Sequence, residues 1–496
     1  MHVHLIGVCG SGMGALATLL VQAGHRVTGS DANLDPPVGP SLLQAGIHCT
    51  LGYDPKNLSP APDLVIVGNV VRRDNVEASA AAAMGLSCTS MSRALTDMFL
   101  SDRKTLVVAG THGKTTTSAM CAWLLTALGH EPGWFIGGLP KDLPTSAAIG
   151  SKRRKIVGNV AMPSPFVVEG DEYDAVYWHK QPKFLDYVDK QRGHDNDDVV
   201  IVTSIEYDHA DIYPDSQAYG AAFIRLFEQM PKHGLVVCDA SDAQVVSLTK
   251  QYATCNVTYY ALEGDDTHNA VPTWLAACAE VTDSEQHFDV YAGGMLIGRH
   301  ALRVPGKHNV RNALASMAAC AEGFGAKVRD LRPALARFSG VKRRQDLLGI
   351  PCGISIYDDF AHHPTAVRET IMALRGRHPS GTLFVVFEPR SATASRNIHQ
   401  REYAAAFNAD SKTGTRVLLA PVGRANILTT ERLDIERLAH DIGTFASAHP
   451  DVGHIIDTLV NEAARGDTIA LLSNGTFGGI HAKLIDALQA RALHPA

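Results

Sequence analysis

The chain has 496 residues, of which 45% are hydrophobic and 19% charged, with a formal net charge of −6. At roughly 100–200 residues per domain this length corresponds to about three domains, with ample apolar material for their cores. The acidic balance provides no basic face for a nucleic-acid or membrane-surface partner, and no apolar run approaches the ~18 residues of a membrane span.

The N-terminus, Met1-His-Val-His-Leu-Ile-Gly7, reads as a strand running into a glycine turn. It has neither the basic region nor the apolar stretch of a signal peptide, and a cytoplasmic location is expected. The nine cysteines include no pair within four residues, which speaks against a zinc knuckle or a local redox pair. Reduced thiols, several filling core space, are expected. The basic run Lys152-Arg-Arg-Lys155 is read as a solvated loop.

Apolar strand-like runs alternate with helical patterns along the chain, which predicts α/β architecture with largely parallel sheets. The first unit, 1–102, carries strands at Val3–Val8, His25–Gly29 and Leu64–Val67, a helix at Met13–Ala23, and a polar linker at Asp97–Lys104. The second, 103–339, opens with a strand at Thr105–Ala109 and a helix from Thr115 to Leu128. Further strands are expected at Phe166–Val168, Val199–Thr203 and Leu235–Cys238, a surface excursion at Pro182–Asp198, and a closing helix at Val310–Glu322. The third, 340–496, has strands at Ile354–Tyr357, Leu383–Phe387, Val417–Ala420 and Thr468–Leu472, and a helix at Thr365–Leu374.

The strongest local signal is Gly110-Thr-His-Gly-Lys-Thr115, continued by Thr116. A strand feeds it and a helix leaves it, the context of a phosphate loop. Glycines let backbone N–H groups curl around phosphate oxygens, and the helix N-terminus adds its positive dipole end. Lys114 can reach the β- and γ-phosphates, and the Thr115 hydroxyl can ligate Mg²⁺. The loop is a shortened form of the usual pattern, since Val108 stands where a first glycine belongs. The turn Gly7-Val-Cys-Gly10-Ser-Gly12-Met-Gly14, with Asp31 about 20 residues on, resembles a dinucleotide fingerprint with altered spacing and marks a second phosphate-type turn.

Downstream, Glu169 ends an apolar run and opens Glu-Gly-Asp-Glu-Tyr-Asp174. A carboxylate there suits Mg²⁺, whereas Asp171, Glu172 and Asp174 read as solvated. His209, in Ile205-Glu-Tyr-Asp-His-Ala-Asp211, is a metal or phosphate contact. Asn309 and Asn312, in Pro305-Gly-Lys-His-Asn-Val-Arg-Asn312, share a helix face and can read an adenine edge, although Asn309 also suits a helix cap. Arg343-Arg344 and Asp358-Asp-Phe-Ala-His-His-Pro364 supply arginine for phosphate and aspartate for ribose, with the choice within each pair open.

In this order the motifs resemble the Mur ligase family over nearly the whole chain. The resemblance implies a Rossmann-like N-terminal domain binding a UDP substrate, a central phosphate-loop domain binding ATP, and an α/β C-terminal domain that closes over both. The chain is most similar to the muramate-using branch. Gly29-Ser-Asp-Ala-Asn33 with Pro36-Pro37, Val67-Gly-Asn-Val70, the 169–174 segment and Phe387-Glu-Pro-Arg-Ser391 favour those members that take the murein tripeptide over those that take L-alanine. Phe223 stands where other members carry a carbamylated lysine, implying a different second-metal environment.

The resemblance further implies that UDP-N-acetylmuramate and a murein peptide are the small-molecule substrates, with ATP and Mg²⁺. The muramyl carboxylate would attack the γ-phosphate, and the peptide amine would attack the acyl phosphate. Lys114, His209, Arg343 or Arg344, and Mg²⁺ on Thr115, Glu169 and His209 would neutralise charge. Gly110–Thr116, including Thr111, His112 and Gly113, would cradle phosphates; Asn309 and Asn312 would hold adenine and Asp359 the ribose. Gly10, Gly12 and Asp31 would meet the UDP end. Two rivals fare worse. A phosphate-loop switch protein needs an Asn-Lys-x-Asp guanine reader, which the sequence lacks. An NAD-dependent oxidoreductase built on the first turn leaves the second loop unexplained.

Overall fold

The computed structural model describes residues 1–35, 38–152, 155–157, 160–188, 197–282, 285–410, 414–424 and 427–493. The run Lys152–Lys155 and the pair Pro36-Pro37 therefore lie largely outside the described residues.

The first sheet contains β1 (His2–Ile6), β2 (Arg26–Asp31), β3 (His48–Leu51), β4 (Leu64–Val67) and β5 (Cys88–Ser90) in the order β3-β2-β1-β4-β5, all parallel. The order reverses beside β1, and such a switch point opens a crevice at the carboxyl ends of the strands. The glycine turn lies at that end and leads into the helix Ser11–Gln22. Gly12 and Gly14 are needed for packing. A Cβ on Gly12 would lie 2.8 Å from Met91 Sδ, and one on Gly14 2.5 Å from Val38 Cγ1.

The second sheet is built on β6 (Lys104–Ala109), with β7 (Gly133–Phe135) and β8 (Ala147–Ala148). A hairpin, β9 (Lys155–Val157) and β10 (Val160–Met162), precedes β11 (Pro165–Glu169). A second hairpin, β12 (Asp174–Val176) and β13 (His179–Pro182), precedes β14 (Val199–Val202), β15 (Leu235–Asp239) and β16 (Asn256–Leu262). The strands β17 (Trp274–Thr282), β18 (Glu285–Ala292) and β19 (Met295–Leu302) complete a sheet of order β19-β18-β17-β16-β15-β14-β6-β11-β7-β8. Its centre is parallel and buried on both faces, as the valine-rich runs require. The antiparallel extension β17–β19 escaped the sequence reading. β18 alternates buried and half-buried residues and β19 is largely exposed or half-buried, so neither carries the continuous apolar runs of the centre.

The third sheet has β20 (Asp346–Gly349), β21 (Ser355–Asp359), β22 (Leu383–Phe387), β23 (Thr415–Leu419), β24 (Ala446–Ala448) and β25 (Thr468–Leu472), ordered β20-β21-β25-β22-β23-β24, with β20 antiparallel. Helices cover both faces and bury two apolar clusters.

Two expected surface segments are packed instead. The linker Asp97–Lys104 belongs to a helical run from Met91 to Leu100 and then β6; Phe99 and Leu100 are buried. The excursion from Pro182 begins with the helix Phe184–Tyr187, whose residues are buried. The Thr96 hydroxyl donates to Asp186 O at 2.8 Å and Ser92 Oγ to Asp186 Oδ2 at 2.5 Å. These segments therefore weld the first unit to the second, and their polar residues are spent on that contact; residues 189–196 lie outside the described set.

Candidate active site

Parallel register assembles the site. Glu169 pairs in register with Val108 and Val202 with Ala109, so the ends of β11 and β14 flank the loop that leaves β6. Gly110 and Gly113 have φ of +122° and +77°, conformations that glycine adopts without strain. Gly113 also has no room for a side chain, since a Cβ would lie 2.6 Å from Asn312 Oδ1.

The loop's Thr115 hydroxyl donates to Glu169 Oε1 at 2.8 Å, and Gly137 N donates to Glu169 Oε2 at 2.7 Å. Arg344, from the third unit, reaches the same hydroxyl at 3.3 Å. Thr115, Glu169 and Arg344 are thus brought together. Lys114 is turned onto its own loop, donating to Gly110 O at 2.6 Å, Thr111 O at 3.1 Å and Glu172 Oε1 at 2.6 Å. His209, in a left-handed backbone conformation (φ +57°), stands with Glu172. Its Nε2 is 3.8 Å from Glu172 Oε2, an oxygen that has no hydrogen-bond partner among the described residues.

Glu172 is the residue that the sequence misled on. It reads as part of a solvated acidic turn, yet it is 1% exposed. Tyr219 donates to it at 3.1 Å and also meets Thr111 Oγ1 at 3.0 Å. One turn on, Phe223 is fully buried against Tyr219 and Phe184. Only the four-residue spacing of Tyr219 and Phe223 in the helix Ser216–Gln229 carried a signal for this arrangement.

A cavity of about 600 Å³ opens beside the loop, between the second and third units. His112, Thr116, Asn309 and Asn312 line it from one side and Arg344 and Asp359 from the other. Asn312 Nδ2 donates to Asn309 Oδ1 at 3.2 Å and Asn309 Nδ2 to Pro305 O at 3.0 Å. Gly306, not Asn309, is the cap of the helix Lys307–Ala318. Farther along the wall, burial pushes the Asp239 carboxyl up to about 6, against the pull of Arg311 at 3.3 Å.

The open choices separate geometrically. Arg344 and Asp359 face the cavity, whereas Arg343 and Asp358 face into the third unit. Arg343 Nε donates to Asp358 Oδ2 at 3.1 Å, and its NH2 donates to Ser473 O and Gly475 O at 2.8 and 2.7 Å. Arg343 is thus engaged through Nε and NH2 in tethering the segment after the second unit, which favours Arg344 for the phosphates. Both oxygens of Asp359 accept backbone N–H groups, from Gln345 and Ala361 at 2.8 Å each. Burial raises the Asp359 carboxyl, while Arg344 and those N–H groups oppose the rise.

The units also touch directly across the cleft. Thr365 Oγ1 donates to Glu206 Oε2 at 2.6 Å, Ala210 N donates to Thr393 Oγ1 at 3.2 Å, and Lys141 pairs with Asp346 at 2.6 Å. Glu206 is a second residue missed in the sequence. Burial alone would raise its carboxyl, but His112 and the Thr365 hydroxyl hold it down at about 2. In the first unit, Cys9 N donates to Asp31 Oδ2 at 2.8 Å, which fixes Asp31 against the glycine turn. Gly10 caps the helix there, while Gly12 faces Met91 and is a packing glycine.

Family models match three stretches of the chain: a Mur ligase family catalytic domain over residues 2–103, a Mur ligase middle domain over 188–320, and a Mur ligase glutamate ligase domain over 343–475. The chain is 36% identical over 494 residues to the UDP-N-acetylmuramate–L-alanyl-γ-D-glutamyl-meso-2,6-diaminoheptandioate ligase of Escherichia coli K12, covering 99% of each. It is 36% identical over 406 residues to a UDP-N-acetylmuramate–L-alanine ligase of a Roseiflexus species, covering 79% of each. Among solved structures, it is similar to a murein peptide ligase from Psychrobacter arcticus, at 31% identity and a TM-score of 0.71, covering 99% of each chain. On three matched domains and full-length relatives, the chain belongs to the Mur ligase family, whose members are ATP-dependent amide ligases.

Proposed function

We propose that the protein joins UDP-N-acetylmuramate to the murein tripeptide L-alanyl-γ-D-glutamyl-meso-diaminopimelate, at the expense of ATP, in the cytoplasmic recycling of peptidoglycan. The observation that carries the reading is the convergence of Thr115, Glu169 and Arg344 on one point beside Lys114. Residues 1–102 serve the UDP substrate, 103–339 the ATP, and 340–496 close the cleft and hold the acceptor. Among the described residues no helix is long and apolar enough to cross a membrane.

Attack of the lactyl carboxylate on the γ-phosphate brings two anions together, and the site must offset that repulsion. Lys114 and Arg344 supply fixed positive charge on opposite sides of Thr115. Thr115 and Glu169 offer hard oxygen donors 2.8 Å apart, which suit Mg²⁺, and the unpartnered Glu172 Oε2 beside His209 suits a second cation. Mg²⁺ bound there supplies charge neutralisation. The carboxylate's attack breaks the β–γ bridge, releases ADP and leaves an acyl phosphate; the amine of the peptide then displaces phosphate from it and loses a proton, forming the amide. Asn309 and Asn312 take the adenine and Asp359 the ribose end. Gly10 and Asp31 take the UDP end. The interdomain contacts at Thr365 and Thr393 keep water from the acyl phosphate.

The tripeptide is preferred to L-alanine because the relatives named for it are 35–36% identical over nearly the full length of both chains, against 30–32% for L-alanine ligases matched over a comparable length. The test is a competition of L-alanine against the tripeptide, each with UDP-N-acetylmuramate and ATP-Mg²⁺, followed by phosphate release. Turnover dependent on the tripeptide is expected; faster turnover with L-alanine would reassign the acceptor, and release without either substrate would remove the ligase reading.

A further inference from the structure

Beyond the Lys114–Glu172 and Thr115–Glu169 pairs, three side chains from distant segments converge. His112 belongs to the phosphate loop, Glu206 follows β14, and His363 caps the helix Pro364–Arg377 in the third unit. One donor atom from each lies within 4.8 Å of the other two. His112 Nε2 is 3.3 Å and His363 Nδ1 3.6 Å from the same oxygen, Glu206 Oε2. The two imidazole centroids are 4.6 Å apart.

A carboxylate that merely accepts hydrogen bonds across an interface needs one donor, and the Thr365 hydroxyl already supplies it at 2.6 Å. The second imidazole is left without such a role. His363 is 7% exposed, and its Nε2 has no hydrogen-bond partner among the described residues. Thr365 N approaches Nδ1 only at 3.4 Å, too far to occupy its lone pair firmly. His399 meets the His363 ring edge-on, with centroids 4.9 Å apart. Two imidazoles and a carboxylate form a donor set suited to zinc-type ions. The all-oxygen Thr115–Glu169 pair differs from it in suiting Mg²⁺.

We propose that His112, Glu206 and His363 form a zinc-type cation site that ties the phosphate loop to the third unit and holds the nucleotide cleft shut. A cation there spans both sides of the cleft, so nucleotide cannot leave until the metal does.

The full-length chain is titrated with Co²⁺, read by its visible absorbance, and with Zn²⁺ against a chromophoric chelator. One Co²⁺ per chain is expected, with the strong visible bands of four- or five-coordination, displaced by Zn²⁺ and not by Mg²⁺. His363→Asn, which can still cap the helix, and Glu206→Gln should each weaken binding about tenfold or more. Zn²⁺ should slow release of a fluorescent adenine nucleotide from the unsubstituted chain and leave release from His363→Asn unchanged. Absence of the bands, or equal affinity in both variants, as surface histidines would give, overturns the site. Binding with unchanged nucleotide release overturns the closure. None of these readouts uses ligation turnover, so they stand apart from the test of the proposed function.

Discussion

Glu172 Oε1 lies 2.6 Å from Lys114 Nζ, with the carboxylate 1% exposed and the ammonium 13% exposed. The phosphate-loop lysine is thereby held by a carboxylate from another segment as well as by two carbonyls of its own loop. Removing either partner strands the other in a poorly solvated place.

Lys114→Ala should lower the rate of phosphate release about 100-fold or more, the scale of losing one charge-stabilising donor. Near-normal turnover in a folded variant would remove Lys114 from the chemistry. Glu172→Ala should in addition lower unfolding stability by about 3 kcal/mol, the low end for breaking a buried pair. Chemical denaturation of the two variants side by side checks this.

Arg343 and Arg344 should separate by assay. Arg344→Ala is expected to cut turnover strongly while leaving the melting temperature within about 2 °C, as for a surface change. Arg343→Ala should destabilise the third unit by about 1–3 kcal/mol, since it strands Asp358 and two carbonyls. Melting curves and initial rates on both variants decide it, and the reverse pattern would exchange their roles.

Gly113→Ala tests the close approach of the phosphate loop to the helix bearing Asn309 and Asn312. The substitution adds about 1–2 kcal/mol of left-handed backbone strain and drives a methyl into Asn312 Oδ1. Weaker ATP binding by at least about tenfold is expected in equilibrium fluorescence. Unchanged affinity would mean that the asparagines do not depend on this contact.

Glu77 gives the first unit a pH dependence. This fully buried carboxylate accepts from His4 Nε2, Ser30 Oγ, Asp54 N and Asn57 Nδ2 at 2.6–3.0 Å. Burial by itself raises its pKa, but the bonds from His4, Ser30 and Asn57 outweigh burial and set it below the ordinary value. A depressed carboxylate pKa stabilises the fold fully above the unfolded value of about 4.3 and loses that contribution as pH falls through the folded value. The unfolding midpoint should therefore drop below about pH 4.3. Glu77→Gln should flatten that drop and lower stability at neutral pH by about 1–3 kcal/mol. A parallel pH profile in the two proteins would count against Glu77 as the cause.

The phosphate loop, its carboxylate Glu169 and the three-unit order were legible because each is local. A valine-rich strand, two glycines and a following lysine prescribe the loop's conformation by themselves, and Glu169 announces itself by ending the next such strand. The antiparallel strands β18 and β19 were not legible, since the half-buried and exposed positions along them leave no continuous apolar run. Nor were the fates of charged residues in polar stretches. Glu172 and Asp171 look alike in sequence, yet one is buried on Lys114 while the other pairs at the surface with Lys183. Arg343 and Arg344 are adjacent and chemically identical, and Ser473 and Asp358 claim the first while the cavity receives the second. Backbone conformation follows from neighbours along the chain, so motif grammar reveals it. The partner of a charged side chain is chosen by segments tens to hundreds of residues away, and only their packing determines whether that charge meets solvent, a structural acceptor or the reacting groups.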